Sequence, residues 1–527
     1  MKRQMVFIMT DSQRFDMVNC YKETGLKTPC IDALAAQGVR YERAYTVQPV
    51  CGPARSALFT GLYPANNCSW CNGMPLGENV KTIGQRLNDN GIHCAYIGKW
   101  HLDGTDYYGN GRCPEGWDDE YWYDMRRYLE EMSIVDRIKS RRVETMNFEK
   151  VPENFTYGSR VAAKAIDFVE KHKDEDYFLV VSFDEPHGPC LCPPPYDEMY
   201  KDYEFPKNPA VWDTLEGKPE YQKVWASENP LPARDKLKIK NPYYFGCNSY
   251  VDSLIGKVIE AIPEDSAIVY TSDHGDFLNS HSLFAKGPAA YDDVARIPLI
   301  MRLPGGAKGV YDKGPVSHIS MCPTILEYYG LPISKALHGE SILQTSKDLT
   351  ADAPEYAFIE FSRFEIDHDH WGGFQPVRAV TDKRWKLSIN LLGGDEFYDL
   401  KNDPYEMHNL IDSIDPAVIA ERDRLHDALL DRMCRDRDPF RGYYWDCRPW
   451  RKDAKAPDWR YRGYIIRQRE NEEYEPRQID YMNGLEMNNA QRYRFNSWEV
   501  HFTSLEQMIE HMRMYDNEER IAPEYKR

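Results

Sequence analysis

The chain has 527 residues, 28% of them charged and 42% hydrophobic, with a formal net charge of −18. That length bounds it to two or three domains with room for a large core, and no run of about 18 apolar residues marks a membrane-spanning helix. The acidic balance excludes a general nucleic-acid binder, which needs a basic face, but leaves room for an anionic substrate in a locally positive cleft.

Taken in chain order, the first half alternates strands and helices. Val6–Met9 reads as a buried strand almost at the start of MKRQMVFIMTD. There is no basic-then-apolar leader. The 13 cysteines are odd in number and irregular in spacing, so no compact disulfide framework is expected. Cys68 and Cys71 form a lone C-x-x-C pair, too little for zinc or redox chemistry. A reduced, cytoplasmic address is therefore expected. Thr28-Pro29 opens a helix through Gln37, with Pro early and Gly38 after it. Thr82–Asn90 is a helix ended by Gly91, and Cys94–Ile97 a short strand leading to Gly98-Lys99-Trp100-His101. Ser159–Lys171 is an amphipathic helix, Phe178–Phe183 a continuous apolar strand and Tyr250–Ile262 a helix. Ala267–Thr271 is a strand ending at Ser272-Asp273-His274-Gly275, and Ile297–Leu303 is one more. The pattern implies an α/β fold, with a mostly parallel sheet covered by helices on both sides.

The texture changes near Tyr356. YAFIEFSR, VRAVTD, WKLSINL and DEFYDL read as closely spaced antiparallel strands, followed by a helix over Pro416–Cys434. Beyond Asp436 the chain is rich in Arg, Tyr, Trp and Asn and reads as an extended arm with one helix near Leu505–Met514. The expected organisation is a catalytic α/β domain over residues 1–355, a smaller α+β unit over 356–436 and an extension over 437–527. The extension packs on the body or joins two copies into a homo-oligomer.

In open α/β sheets chemistry collects at the carboxyl ends of strands. Four such ends carry ionisable groups: Asp11; Lys99 and His101; Asp184, Glu185 and His187; Asp273 and His274. Any one of them alone reads as readily as a helix cap, a salt bridge or a satisfied core histidine; the set carries the argument. Asp11, Asp273 and His274 are a metal-ligand set. The carboxylates suit calcium or magnesium, and the imidazole keeps manganese and zinc open. Lys99, His101, His187 and Lys286 surround a small tetrahedral anion and stabilise charge developing on it. In QPVCGPARSALFTGLYP, Pro53 suits the first turn of a helix and Gly61 its end. Cys51 then stands at a helix amino terminus, where free N–H groups favour an anion, and Arg55 is one turn on. Read alone, Cys51 is a low-pKa nucleophilic thiol, but that leaves the carboxylates and lysines without a task.

Cys51-Gly-Pro53-Ala-Arg55 followed by Thr60-Gly61 resembles the type I sulfatase signature C-x-P-x-R…TG. Ile8-Met-Thr-Asp11, Gly98-Lys99-Trp-His101-Leu, Glu185-Pro-His187-Gly-Pro, Ser272-Asp273-His274-Gly275 through Phe284-Ala-Lys286, and Phe397-Tyr-Asp-Leu400…Asp403-Pro…Glu406…Asn409-Leu410 resemble further segments of that family, in family order. The resemblance implies an alkaline phosphatase-like fold. It implies that Cys51 is oxidised to formylglycine by a sulfatase-maturing enzyme that reads Pro53 and Arg55. One hydroxyl of the hydrated aldehyde then attacks sulfur, and loss of a proton from the other expels sulfate. By the same resemblance Asp11, Asp273 and His274 bind a divalent metal, usually calcium, with the matured Cys51 on it and Arg55 steadying it. Lys99, His101, His187 and Lys286 hold the sulfate and assist the leaving group. Relatives often carry Asp or Gln where this chain has Ser12. Ser12 as a ligand, Gln13 turned in, or water in that place are all open, as are Mg2+ and Mn2+.

The implied substrate is a sulfated sugar, such as an oligosaccharide from glycosaminoglycan breakdown. Candidate sugar contacts are His281, His368, His370, Trp371 and Arg378, with Lys386 a similar choice. Two rival readings stand beside the carbohydrate sulfatase: a phosphonate or phosphate ester hydrolase of the same superfamily, and a non-catalytic carbohydrate-binding protein on this fold.

Overall fold

The computed structural model describes residues 2–451, apart from 78, 106, 107, 229, 231–235 and 366–372. His368, His370 and Trp371 lie outside the described residues, as does the arm from residue 452 with its expected helix. The strands in chain order are β1 (Gln4–Asp11), β2 (Val39–Tyr41), β3 (Ala44–Tyr45), β4 (His93–Gly98), β5 (Tyr177–Pro186), β6 (Ala267–Ser272), β7 (Arg296–Ile297), β8 (Leu299–Arg302), β9 (Gly309–Tyr311), β10 (Val316–Ser317), β11 (Ala357–Phe361), β12 (Val377–Thr381), β13 (Trp385–Asn390) and β14 (Glu396–Asp399). The main helices are α1 (Pro29–Gln37), α2 (Cys51–Thr60), α3 (Ile83–Asn88), α4 (Tyr157–His172), α5 (Pro242–Ala261), α6 (Met321–Tyr329) and α7 (Pro416–Arg435).

Seven strands form the main sheet in the order β4-β5-β1-β6-β8-β2-β9. β1 is buried along its whole length, so its alternate side chains serve two cores. Val6 and Ile8 pack with residues of α1, α4 and α5 on one face. Met5, Phe7 and Met9 pack with Leu58 and Phe59 of α2, Ile83 and Leu87 of α3 and Ile325 of α6 on the other. Strands buried on both faces read as continuous apolar runs, which is why β1, β5 and β6 are legible as such.

Two elements differ from expectation. The helix expected from Tyr250 starts at Pro242, because its first half is buried on nearly every side and shows no amphipathic period. The strand expected over Ile297–Leu303 is broken at Pro298, which has no N–H to give a ladder. β7 joins a small sheet, β10-β3-β7, while β8 pairs antiparallel with β6 and β2. The main sheet is therefore mixed, with a parallel core.

The last four described strands form a separate antiparallel sheet, β11-β12-β13-β14. Val380, Leu387, Ile389 and Phe397 of this sheet close on Leu425, Leu429, Leu430 and Met433 of α7. Among the described residues no helix is long and apolar enough to cross a membrane.

Candidate active site

Four adjacent parallel strands, β4-β5-β1-β6, place their carboxyl ends side by side. Their register puts Gly98 opposite Ser182, Asp11 opposite Pro186 and Thr10 opposite Ser272. The ionisable residues at these ends, from Asp11 to His274, therefore converge from up to 263 positions apart. Gly98 makes the turn: its φ is +123°, and a Cβ there would stand 1.9 Å from the Ser182 carbonyl.

α2 delivers Cys51 to the same place. Val50 is extended and Cys51 is the first helical residue; Gly61 closes the helix with φ +70°. The Gly52 N–H donates to Asn72 Oδ1 at 2.9 Å. Cys51 is 1% exposed. Its Sγ lies 2.6 Å from Lys286 Nζ, 3.2 Å from His274 Nε2 and 3.6 Å from Asp11 Oδ1. Burial and Asp11 push the thiol up, but Lys286, Lys99 and His274 override them and bring it to about 5.

Arg55, fully buried, holds the carboxylates. Its Nη2 donates to Asp11 Oδ2 at 3.0 Å and its Nε to Asp273 Oδ2 at 3.1 Å. Its Nη1 donates to the Lys99 carbonyl at 2.6 Å and Ser182 Oγ at 2.8 Å. Lys99 Nζ bridges Asp11 Oδ2 at 2.8 Å and Asp184 Oδ1 at 3.0 Å. Burial opposes ionisation of Asp11, yet Lys99, His187, Lys286 and Arg55 hold it well below the usual carboxylate range. Asp273 goes the other way: burial, and then Asp11, push it up to about 7. Two carboxylates so close cannot both stay charged without added positive charge.

The candidate ligand atoms of Asp11, Cys51, Asp273 and His274 all lie within 4.8 Å of one another. Two buried carboxylates that share a demand for counter-charge, beside an imidazole, suit a divalent ion. His274 Nδ1 donates to the Gly275 carbonyl at 2.8 Å, so Nε2 is the candidate ligand nitrogen. Ser12 Oγ donates to Asp11 Oδ1 at 2.8 Å and the Ser12 N–H to Asp273 Oδ1 at 3.0 Å, so Ser12 orients both carboxylates. Gln13 does not turn in: its amide binds Asn248, Thr10 and Tyr270.

His187 keeps 27% of its side chain exposed and lies 3.8 Å from Asp184. Burial and the Lys99 charge push it down to about 4. Its Nδ1 donates to the Gly188 carbonyl at 2.8 Å. His101 is buried beside the first turn of α2, where a Cβ on Gly52 would stand 3.3 Å from its carbonyl.

The sugar contacts expected of His281 and Arg378 need correction. His281 is buried; its Nδ1 meets Asp213 at 2.7 Å and its ring stacks on Tyr291 with centroids 3.8 Å apart. Arg378 is fully buried on β12, its Nε and Nη2 donating to Asp438 at 2.6 and 3.1 Å. Lys386 is likewise committed, to Asp292 at 2.6 Å and Glu406 at 2.9 Å. These are structural ion pairs, and none is open to a ligand.

The sequence reading gave no part to Asp184, Ser182 or Asn72. Asp184 was visible as a strand end, but nothing local marks it as the partner of Lys99. Asn72 lies in a loop 20 positions from the N–H it caps, without a sequence signal.

A sulfatase family model matches residues 3–331. The chain belongs to the sulfatase family. A second model, for the C-terminal region of N-sulphoglucosamine sulphohydrolase, matches residues 279–434 of this sulfatase. An uncharacterised sulfatase of Escherichia coli, YidJ, is 44% identical over 496 residues, covering 92% of this chain and 97% of that protein. A structure solved with its substrate D-glucosamine-2-N,6-O-disulfate is similar at TM-score 0.67 and 20% identity, covering 84% of this sulfatase and 99% of that chain. The phosphonate monoester hydrolase of Agrobacterium radiobacter is similar at TM-score 0.67 and 21% identity, covering 82% and 96%. At these identities the two structures share the fold, which is that of the alkaline phosphatase superfamily. The sulfatase is a sulfuric ester hydrolase.

Proposed function

We propose that this sulfatase hydrolyses sulfate esters of sugars, in particular glycosaminoglycan-derived oligosaccharides, through a formylglycine made from Cys51 and a bound divalent metal, calcium before Mg2+ or Mn2+. The observation that carries the reading is the meeting of Cys51 Sγ, two buried carboxylates and the Lys286 ammonium at the ends of parallel strands. The match to the N-sulphoglucosamine sulphohydrolase C-terminal region and the amino-sugar disulfate of the structural neighbour support a sugar sulfate. When present, formylglycine supplies an oxygen nucleophile in place of the thiol, and the metal supplies positive charge beside it.

The rest of the chemistry falls to side chains. Asp11, Asp273 and His274 hold the metal, with Ser12 and Arg55 keeping the carboxylates in place. Lys99, Lys286 and His101 face the sulfate anion with positive charge or N–H groups. His187, neutral above about pH 4, takes up a proton when the anion arrives and returns it to the departing alcohol. We read residues 1–355 as the catalytic unit, 356–436 as the smaller unit and 437–527 as an extension, either on the body or on a neighbouring subunit. The chain meets its maturing enzyme in the cytoplasm, a reading supported by the odd number and irregular spacing of its 13 cysteines.

The phosphonate hydrolase neighbour favours one second reading, hydrolysis of phosphonate or phosphate esters. The test is sulfate release by ion chromatography from chain co-expressed with a maturing enzyme, with formylglycine at position 51 confirmed by peptide mass. The panel holds sulfated glycosaminoglycan disaccharides, an aryl sulfate and its phosphate twin. Release of sulfate from one disaccharide, abolished by Cys51→Ala with the fold intact, supports the proposal. More than trace turnover by Cys51→Ala, preferred release of phosphate, or silence from matured protein overturns it; silence points to a non-catalytic sugar binder.

A further inference from the structure

Outside the active site, a second group of side chains brings two imidazoles and a carboxylate together. His93 opens β4, His172 closes α4 and Glu175 sits in the connection to β5. Their candidate ligand atoms lie within 4.8 Å of one another. The group is at the amino end of β4, roughly 17 Å of strand from Gly98 and the catalytic end. His93 and His172 keep 24% and 19% of their side chains exposed, so an ion can enter from solvent.

The hydrogen bonding decides what this group lacks. His93 Nε2 lies 2.8 Å from Asp118 Oδ2. A carboxylate only accepts, so Nε2 carries the proton, and in the neutral ring Nδ1 carries a lone pair. That Nδ1 lies 3.3 Å from Glu175 Oε2, a second acceptor. A cation must stand between the two, either a proton or a metal ion. His172 Nδ1 lies 2.8 Å from the other oxygen of Glu175. The two rings meet edge to face, with centroids 4.5 Å apart and planes at 87°. The Asp118 contact is the arrangement in which a carboxylate fixes the tautomer of a metal-bound imidazole and makes it a better ligand.

We propose that His93, His172 and Glu175 bind one zinc ion, with Asp118 orienting His93. Two imidazoles and a carboxylate suit zinc, with a fourth position left for water. Calcium prefers sites of oxygen alone, so the two ions partition between this site and the active site by donor chemistry. The ion ties the carboxyl end of α4 to the amino end of β4, the outermost strand of the main sheet.

The test is a zinc titration of the full chain, calcium-loaded and in excess calcium, by calorimetry and thermal melting. The wild type takes up one zinc more per chain than His172→Gln or Glu175→Gln, each with an unchanged far-UV spectrum. Asp118→Asn keeps the stoichiometry and weakens zinc about tenfold. Zinc raises the melting temperature of the wild type and leaves that of His172→Gln unmoved. Equal zinc uptake and affinity in the wild type and both ligand variants, or an Asp118→Asn affinity equal to that of the wild type, overturns the proposal.

Discussion

Arg55→Met removes one guanidinium and leaves most of the side-chain volume. In the wild type that group donates to two carboxylates, one carbonyl and one hydroxyl, all between 2.6 and 3.1 Å, with no solvent in reach. Removing one partner of a buried ion pair costs about 3–5 kcal/mol, a large part of the roughly 5–15 kcal/mol that holds a typical protein folded. Lys99 still bridges Asp11, but Asp273 is left with the Ser12 and His274 N–H groups, the His274 ring and the charge of Lys286. The variant should therefore lose about 4 kcal/mol in urea melts run without divalent metal. Calcium should stabilise the variant more than the wild type, because the dication replaces charge lost between Asp11 and Asp273; at a hundredfold excess over its Kd the rescue is about 2.7 kcal/mol. A calcium-free melt within about 0.5 kcal/mol of the wild type, a difference ordinary for surface changes, would refute the charge balance argued here. So would a larger calcium effect on the wild type than on the variant.

Asp273→Asn, which removes a charged hard ligand, should lower calcium affinity by more than about tenfold and activity with it; unchanged calcium content by elemental analysis contradicts the ligand assignment. In chain that has not been matured, alkylation of Cys51 should follow a titration near pH 5, and Lys286→Met should move that midpoint toward the free-thiol value of about 8.5. A midpoint that stays in place removes Lys286 from the account. Asp213 is held down at about 2, against burial, by His281 and Lys218. A depressed carboxyl stabilises the fold above its unfolded value of about 3.9, and that contribution fades as pH falls through the folded value. Asp213→Asn should thus cost about 2 kcal/mol at neutral pH and melt like the wild type near pH 2; a gap that persists at pH 2 goes against this pairing.

Much of the site was legible because β1, β4, β5 and β6 are apolar runs that stop at ionisable residues. Strand ends locate Asp11, Lys99, His187 and Asp273 without any knowledge of pairing, and Pro53 with Gly61 locates Cys51 at the head of a helix. Pairing itself is not written locally. Nothing around Leu299 says that β8 runs antiparallel to β6, since direction depends on the path taken between them. Buried ion pairs are equally silent: Arg378 has the composition of a surface residue, and its partner Asp438 stands 60 positions away. A charged residue is read as exposed until its counter-charge is found, which is why Arg378 and His281 were expected at the substrate and are instead inside the protein.

The walls around Cys51 come from chain made long after it. Its close contacts, Lys286 and His274, come from the segment following β6, and every residue of α2 is buried once that segment is in place. At about 5–20 residues per second, the roughly 220 residues from Cys51 to Asp273 take on the order of 10–45 s to synthesise. During that interval β6 does not exist, β1 lacks one of its two neighbours and the thiol has neither the ammonium nor the imidazole beside it. A protein catalyst that must surround the Cys51 segment has this interval on the ribosome-bound chain, before β6 joins the sheet.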